Sequence, residues 1–227
     1  MAVPWTAGKP KPFPWDPDRA LTYYKINALV RATLPPDIPM TVEHVMAIFF
    51  HETGFSNIRQ RVKDPDHDGQ LKDGKGTGFG QMEMMNAEFI PFFDWLGYNT
   101  NRFPKKGDTR PRLTPEMVTA KGNEEFAIRM HCRWFEWLCK VAPDVSQRPI
   151  SVEGCLRIQA GGPNADLVKP LLDAGNQLKN VQANDRDGII AALNSGRWYL
   201  KDGGGIQQKI IPTDKFPEYW AAILPKA

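Results

Sequence analysis

The sequence predicts a mainly α-helical fold with a small β or loop element around residues 60–80. Two observations indicate this class: apolar residues recur at helical spacing in most segments, and alternating strand patterns are few. A third is the concentration of Asp, Gly and Lys in residues 57–80, which is typical of a loop or short hairpin. With 227 residues, of which 41% are hydrophobic, the chain is long enough to bury a substantial core. We therefore expect residues 18–227 to form a single domain.

Residues 1–17 differ from the rest because they contain five prolines and two Pro-Trp pairs. Proline fixes the backbone in extended conformations, so this segment is predicted to be an N-terminal arm whose tryptophans pin it to the domain. The arm has no apolar core of the signal-peptide type. We therefore expect synthesis in a cytoplasm and delivery to any outside target by another route.

Charge and hydropathy exclude two classes of partner. The formal net charge of +3 is too small to argue for nucleic acid, although it is compatible with a weakly anionic polymer. No apolar run approaches the ~20 residues that a membrane span requires. The expected partners therefore include neither nucleic acid nor an inserted membrane segment.

Helices are expected in most of the remaining chain. The pair Pro35-Pro36 should end the first helix, and Thr41 is a good N-cap for the second, with Glu43 in its first turn where the helix dipole favours a carboxylate. Residues 98–112 are predicted to be a long polar loop. The predicted helices cover 18–33, 41 to the glycine at 54, 84–96, 115–121, 123–141, 151–159, 164–173 and 185–194.

The three cysteines do not suggest a disulfide framework, because their number is odd. Cys132 and Cys139 are expected to share a helix, where seven residues separate them by roughly 10 Å along the axis. A disulfide needs Cα atoms about 4.4–6.8 Å apart, so this pair cannot bridge. Buried free thiols are the expectation.

Glu52 is the first candidate catalytic residue. It follows Val45, Ile48 and Phe49 at helical spacing, so it lies on or beside the apolar face near the C-terminal end of its helix. Desolvation and the negative end of the helix dipole both raise a carboxyl pKa, which suits a general acid. Gly54 then supplies the helix stop. The alternative is a glutamate on the helix flank, paired with a nearby Arg or Lys.

A glycine-rich turn follows at residues 76–83, with the sequence GTGFGQME. Three glycines in five positions predict a tight backbone with little room for side chains. The spacing of a phosphate-binding loop is absent, and no strand precedes the turn in a βαβ unit, so nucleotide binding is not indicated.

Taken together, HETGFS at 51–56, GTGFGQME at 76–83 and CLRIQAGGPNAD at 155–166 resemble the lysozyme-like superfamily. The resemblance is closest to goose-type lysozymes and soluble lytic transglycosylases. In those families a helix ends in the catalytic glutamate, a turn ending in Gly-Leu-Met-Gln lines the glycan cleft, and a third signature reads Ala-Tyr-Asn-Ala-Gly-Pro. The three matches occur in family order and cover residues 41 to about 170.

The resemblance implies a lysozyme-like α domain with Glu52 as the general acid. The chain departs from the family pattern at Gln81 in place of leucine, at Glu83 in place of glutamine and at Ile158 near the usual tyrosine, which puts individual sugar contacts in doubt. Tyr199 is added as a candidate for stacking on pyranose rings, against the alternative that it packs in the core. The candidate substrate-binding residues are Gly78, Phe79, Gln81, Met82, Glu83, Gln159 and Tyr199.

The loop between the first two motifs is a candidate calcium site. Asp64, Asp66, Asp68 and a following glycine match the first half of an EF-hand loop, with Gln70 offering its carbonyl oxygen at the seventh position. The twelfth position, normally a bidentate glutamate, is Lys75. A solvated acidic loop is the alternative, and no other cofactor is implied.

Asp73 is the candidate second carboxylate. An inverting glycosidase needs an acid and a base on opposite sides of the bond, and goose-type lysozymes place an aspartate just before the glycine-rich turn. Asp73 falls one residue from that place. Lytic transglycosylases use their glutamate alone, first as acid and then as base towards the sugar's 6-hydroxyl. The sequence leaves the two reactions open.

The expected function is therefore cleavage of the β-1,4 bond between N-acetylmuramic acid and N-acetylglucosamine in peptidoglycan. A zinc protease is excluded because Phe55 stands where HExxH needs histidine. The absent signal peptide favours a phage lysin, a virion-associated enzyme or a protein delivered by a secretion machine, acting on the cell wall. The alternatives are a non-catalytic module of a phage tail or secretion apparatus, and a chitinase- or chitosanase-type enzyme.

Overall fold

The computed structural model describes residues 15–63, 71–101, 106–160, 162–201 and 204–225. Helices dominate these ranges, which confirms the mainly α class. The helices are α1 (Tyr23–Thr33), α2 (Val42–Thr53), α3 (Ile90–Trp95), α4 (Pro115–Val118), α5 (Glu124–Lys140), α6 (Val152–Ala160), α7 (Val168–Lys179), α8 (Arg186–Ser195) and α9 (Pro217–Ile223). The strands are β1 (Arg59–Lys63), β2 (Leu71–Thr77), β3 (Trp198–Leu200) and β4 (Ile206–Gln208).

Three predicted helices begin at least four residues later than the sequence suggested. The first starts at Tyr23 rather than at 18, because the Thr22 hydroxyl accepts the backbone N–H of Lys25 at 3.2 Å and so caps it there. The third starts at Ile90 rather than at 84, because the backbone between Glu83 and Phe89 forms consecutive turns instead. A 3₁₀ turn at 162–167 precedes α7, where the sequence predicted one continuous helix.

Helix α2 lies at the centre of the hydrophobic core. Residues from His44 to His51 along it are all buried, which is expected of a helix that is apolar around most of its circumference. Helices α1, α7 and α8 pack against it. One cluster of buried side chains extends from Tyr23 to Leu224, so the first and last described helices share this core with α2.

The strands form two separate antiparallel hairpins. In the first, Arg59 pairs with Thr77 and Lys63 with Leu71, and the register is irregular just after Arg59. In the second, Trp198 pairs with Gln208 and Leu200 with Ile206. The first hairpin confirms the β element predicted around 60–80, whereas the sequence did not predict the second.

The C-terminal helix α9 was also not predicted. Its aromatic pair Tyr219 and Trp220 is fully buried, and Trp220 stacks on Phe50 of α2 at a centroid distance of 5.6 Å. The end of the described chain therefore returns to the central helix. Among the described helices, none is both long enough and apolar enough to cross a bilayer.

Candidate active site

The C-terminal end of α2 places Glu52 where the chain turns sharply. Gly54 adopts the left-handed conformation (φ 56°, ψ 41°), and its N–H donates to the carbonyl of Phe50. Glycine reaches this conformation without a Cβ penalty, so the helix can stop abruptly two residues after Glu52. The predicted helix stop at Gly54 is therefore confirmed.

Burial changes the acidity of Glu52. Its pKa rises from the ordinary 4.5 to about 7, chiefly because burial disfavours the charged carboxylate, while the positive charge of Arg197 works in the opposite direction. The residue nevertheless keeps partial exposure to solvent. A carboxyl group that is protonated in part near neutral pH, on a residue that solvent partly reaches, is suited to donate a proton.

The glycine-rich turn packs directly against the last turn of α2. The Thr53 hydroxyl lies 3.1 Å from the carbonyl oxygen of Phe49 in its own helix and 3.1 Å from that of Phe79 in the turn. The Phe49 and Phe79 rings are also in contact, at a centroid distance of 5.5 Å. The first two sequence motifs are thus neighbours in space.

Gly80 is the point at which this turn meets α5. A Cβ atom built on Gly80 would lie 2.1 Å from Cε1 of His131, so no larger residue fits without displacing the imidazole. His131 is buried edge-on against Phe49, and burial lowers its pKa to about 3, so the ring is neutral. Its position beneath the turn was not predicted from the sequence, because a single histidine on an apolar helix face carries no motif.

The third motif reaches the same turn through one hydrogen bond. The Gln159 side chain of α6 donates from Nε2 to the carbonyl oxygen of Gly80 at 3.0 Å. Residues from the three motifs therefore converge, although they are far apart in sequence. A contact between Gln159 and a sugar stays a prediction.

The other turn residues predicted to bind substrate have distinct surroundings. Phe79 and Met82 are each 1% exposed, and Gly78 is also buried, so these residues support the turn from beneath. Gln81 has a positive φ of 53°, and its side-chain amide donates to the carbonyls of Ile58 and Gly78. Glu83 is partly exposed and accepts a hydrogen bond from Asn86 at 3.3 Å.

Three side chains from the C-terminal part of the chain satisfy carbonyl groups at the end of α2. Tyr199 donates its hydroxyl to the carbonyl of His51 at 2.7 Å, and Tyr219 donates to that of Gly54 at 3.1 Å. Arg197 donates to the carbonyl of Phe50 at 3.4 Å. The last carbonyls of a helix lack intrahelical partners, so these contacts fix the helix end that carries Glu52.

Arg197 is the buried cation of the site. It is 4% exposed, and it also donates to the carbonyl of Lys209 at 3.1 Å and to the hydroxyl of Tyr199 at 2.7 Å. Burial lowers its pKa, but an arginine stays charged. Sequence reasoning did not single out Arg197, since its importance comes from a hairpin that the pattern did not predict.

Tyr199 occupies a packed position. Its ring stacks on the His51 imidazole at 4.9 Å with an interplanar angle of 16°, and its hydroxyl is engaged in the hydrogen bonds just described. These contacts are the core packing that the sequence offered as the alternative to sugar stacking. Stacking on a glycan stays a prediction.

Asp73 lies on β2, exposed to solvent, rather than in a loop. It pairs across the hairpin with Arg61, and its carboxylate lies 3.6 Å from the guanidinium of Arg59, which also pairs with Glu116. Both the strand pairing of Asp73 with Arg61 and its ion pair with Arg59 lie within the first hairpin. A catalytic role beside Glu52 stays a prediction.

The candidate calcium ligands Asp64, Asp66, Asp68 and Gln70 lie outside the described residues. Within the described ranges, no group of three or more His, Cys, Asp or Glu side chains is arranged to hold a metal ion. The calcium site stays a prediction.

No protein-family model, curated protein or solved structure matches this chain. The lysozyme-like resemblance therefore depends on the three motifs and on the way their residues meet.

Proposed function

We propose that the protein cleaves the β-1,4 bond between N-acetylmuramic acid and N-acetylglucosamine in peptidoglycan, as a muramidase or a lytic transglycosylase, with Glu52 as general acid. The observation that carries this proposal is Glu52, a partly exposed residue at the end of α2 whose carboxyl has a pKa of about 7, far above the ordinary value. A glycine-rich turn packs beside it, and Gln159 binds that turn.

In the first step, Glu52 donates its proton to the glycosidic oxygen. The bond from the sugar's C1 to that oxygen breaks as the O–H bond forms, and positive charge develops on the ring. Glu52 is left as a carboxylate, which the charge of Arg197 stabilises. Before proton donation, Arg197 thus opposes the rise in the Glu52 pKa. After proton donation, its positive charge lowers the free energy of the buried Glu52 carboxylate.

The second step distinguishes the two reactions. In a transglycosylase, the Glu52 carboxylate takes the proton of the sugar's own 6-hydroxyl, whose oxygen attacks C1 and closes a 1,6-anhydro ring. In a hydrolase, a second carboxylate activates water, and Asp73 is the candidate. The exposure of Asp73 and its pairing with Arg59 support the reaction in which Glu52 acts alone.

The proposed place of action is the cell wall. The protein would act there as a phage lysin, as part of a phage virion or after delivery by a secretion machine, and proteins of a virion or secretion apparatus are the proposed partners besides the glycan. The chemistry described above needs no cofactor. A calcium ion bound by residues 64–70 would have a structural role.

The test is digestion of purified peptidoglycan by the wild type and by Glu52→Gln, with products identified by mass spectrometry. We expect soluble fragments from the wild type and none from the variant, which keeps the shape of the side chain but has no acidic proton. Anhydro ends indicate the transglycosylase, whereas reducing ends indicate hydrolysis. Binding to peptidoglycan without cleavage, in the presence of calcium, would contradict the proposal and favour a non-catalytic module. Cleavage of chitooligosaccharides alone would favour a chitinase-type enzyme.

A further inference from the structure

Two of the three cysteines meet in space. Cys139 lies in the last turn of α5 and Cys155 in α6, and their sulfur atoms are 3.7 Å apart, which is van der Waals contact. Cys155 is fully buried, whereas Cys139 is partly exposed. The pair therefore combines a thiol that solvent reaches with a second thiol directly behind it.

We propose that Cys139 and Cys155 form a thiol modification site that takes a disulfide oxidant and closes an intrachain disulfide between α5 and α6. This inference goes beyond the proposed glycan cleavage and does not depend on it. It uses only the contact between the two sulfurs, the accessibility of one of them and the reactivity of thiolates towards disulfides.

Cys139 is the attacking sulfur, because it is the one that an oxidant reaches. The contact with the Cys155 sulfur lowers the pKa of Cys139, and the neighbouring Lys140 adds to this effect. The same contact, together with burial, raises the pKa of Cys155. The thiolate therefore forms on the exposed member of the pair, as in other dithiols in which one sulfur attacks and the other resolves.

The exchange proceeds in two displacements. The Cys139 thiolate attacks one sulfur of the oxidant disulfide, forms a mixed disulfide and expels the first oxidant thiolate. Cys155 then gives its proton to an expelled thiolate or to water and attacks the Cys139 sulfur, which releases the second oxidant thiolate. In total the pair loses two electrons and two protons, and the oxidant disulfide becomes two thiols.

The Cys139–Cys155 disulfide would link two helices that both contact the glycine-rich turn. Helix α6 carries Gln159, which donates to the carbonyl of Gly80, and α5 carries His131 beneath the same glycine. The link would also close the chain between positions 139 and 155 and so restrict the unfolded state. For a loop of this length and a chain of this size, we expect the melting temperature to rise by about 6–12 °C.

Cys132 provides the matched control. It lies on the same helix α5, it is fully buried, and burial raises its pKa to about 12, so it should react neither with an oxidant nor with another cysteine. Of the three free thiols, oxidation should therefore consume two and leave Cys132.

The experiment treats the reduced full-length protein with oxidised glutathione and measures intact mass, thiols titrated after denaturation, and melting temperature. For the wild type and Cys132→Ala we expect the loss of two hydrogen atoms and a higher melting temperature. Cys139→Ser should keep its mass and its melting temperature in the oxidant, whereas Cys155→Ala should hold one glutathione as a mixed disulfide on Cys139 and show no rise in melting temperature. Because each variant is compared with its own reduced form, any destabilisation by the substitution itself does not affect the test.

Three results would overturn the proposal. The first is full retention of the thiols in the folded wild type. The second is a stable glutathione adduct on Cys139 of the wild type without closure, and the third is a disulfide between two chains, seen as a dimer on non-reducing gels. Any of these would show that the two sulfurs are only packed together.

Discussion

The two hairpins differ in how far the charged side chains in or next to them are exposed to solvent. In the first, β1–β2, Asp73 is exposed and pairs with Arg59, whose charge is shared with Glu116. Just before the second, β3–β4, Arg197 is 4% exposed and donates to backbone carbonyls of α2 and of the hairpin. An exposed ion pair is screened by solvent, whereas burial changes the interaction of a charge with its surroundings strongly.

This difference separates the two candidate catalytic carboxyls. Glu52 lies within electrostatic reach of Arg197, and burial raises the pKa of Glu52 to about 7. Asp73 lies on the exposed hairpin, opposite Arg61 and near Arg59. The comparison teaches that the surroundings of a carboxyl group decide whether it suits proton donation, and burial gives Glu52 a raised pKa.

The largest expected effect is on glycan cleavage, through the pair Glu52→Gln and Asp73→Asn. Loss of the proton donor should lower the turnover rate by at least about 10²–10⁴-fold. Asp73→Asn should stay close to the wild-type rate, because the Asp73 carboxylate is exposed and lies against Arg59 within the hairpin. Initial rates on purified peptidoglycan check both. An equally severe loss in Asp73→Asn would break the comparison and favour hydrolysis with Asp73 as base.

Next in size is the stability difference between the two arginines. Arg197→Gln removes a buried cation and its hydrogen bonds to the carbonyls of Phe50 and Lys209, so we expect the free energy of unfolding to fall by roughly 2–4 kcal/mol. Arg59→Gln removes an exposed ion pair and should cost at most about 1 kcal/mol. Urea denaturation measures both variants. Equal costs would mean that the second hairpin does not hold the helix end as described.

A third prediction concerns the contact between the turn and α5. Gly80→Ala places a methyl group against the His131 ring and should destabilise the fold by about 1–3 kcal/mol. Gly154→Ala, inside α6, is the control, since its nearest new contact is 3.1 Å from Pro149 and alanine favours a helix. Thermal unfolding of the two variants compares them. A neutral Gly80→Ala would show that the turn is not packed on His131.

The smallest expected effect is the pH dependence of stability. The pKa of Glu52 is raised above its unfolded value, so its contribution to stability is complete below about pH 4.5 and is lost as the pH rises through about 7. Glu52→Gln has no such loss, so its stability relative to the wild type should improve by about 1–3 kcal/mol between pH 5 and pH 8. Urea denaturation at both pH values provides the check. A constant difference would mean that the Glu52 carboxyl is ionised throughout.

Much of the fold could be predicted from the sequence. The stop at Gly54 and the helix containing Cys132 and Cys139 follow from local rules of spacing and capping. The late start of α3 could not be predicted, because the turns after Glu83 depend on contacts with the rest of the molecule. The second hairpin and α9 are short. They are buried by contacts with distant parts of the chain, which local sequence rules do not show.

The candidate site was predicted in part for the same reason. Glu52 and Gln159 carry motif signals, and the structure brings both to the glycine-rich turn or the helix beside it. Arg197, Tyr219 and His131 have no local signal, because their roles come from segments that meet only in the folded chain. A local pattern therefore identifies a candidate acid more readily than the residues that pack around it in the folded chain.

The central claim is that the end of α2 holds a protonated carboxyl near neutral pH, and the most direct measurement is a titration of Glu52 by NMR. Protein carrying ¹³C-labelled glutamate carboxyls is titrated from acid to alkaline pH, and the Glu52 signal is assigned by its absence in Glu52→Gln. We predict a midpoint at about 7. A midpoint near the ordinary 4.5 would contradict the account, because Glu52 would then be ionised at neutral pH and unable to act as the acid.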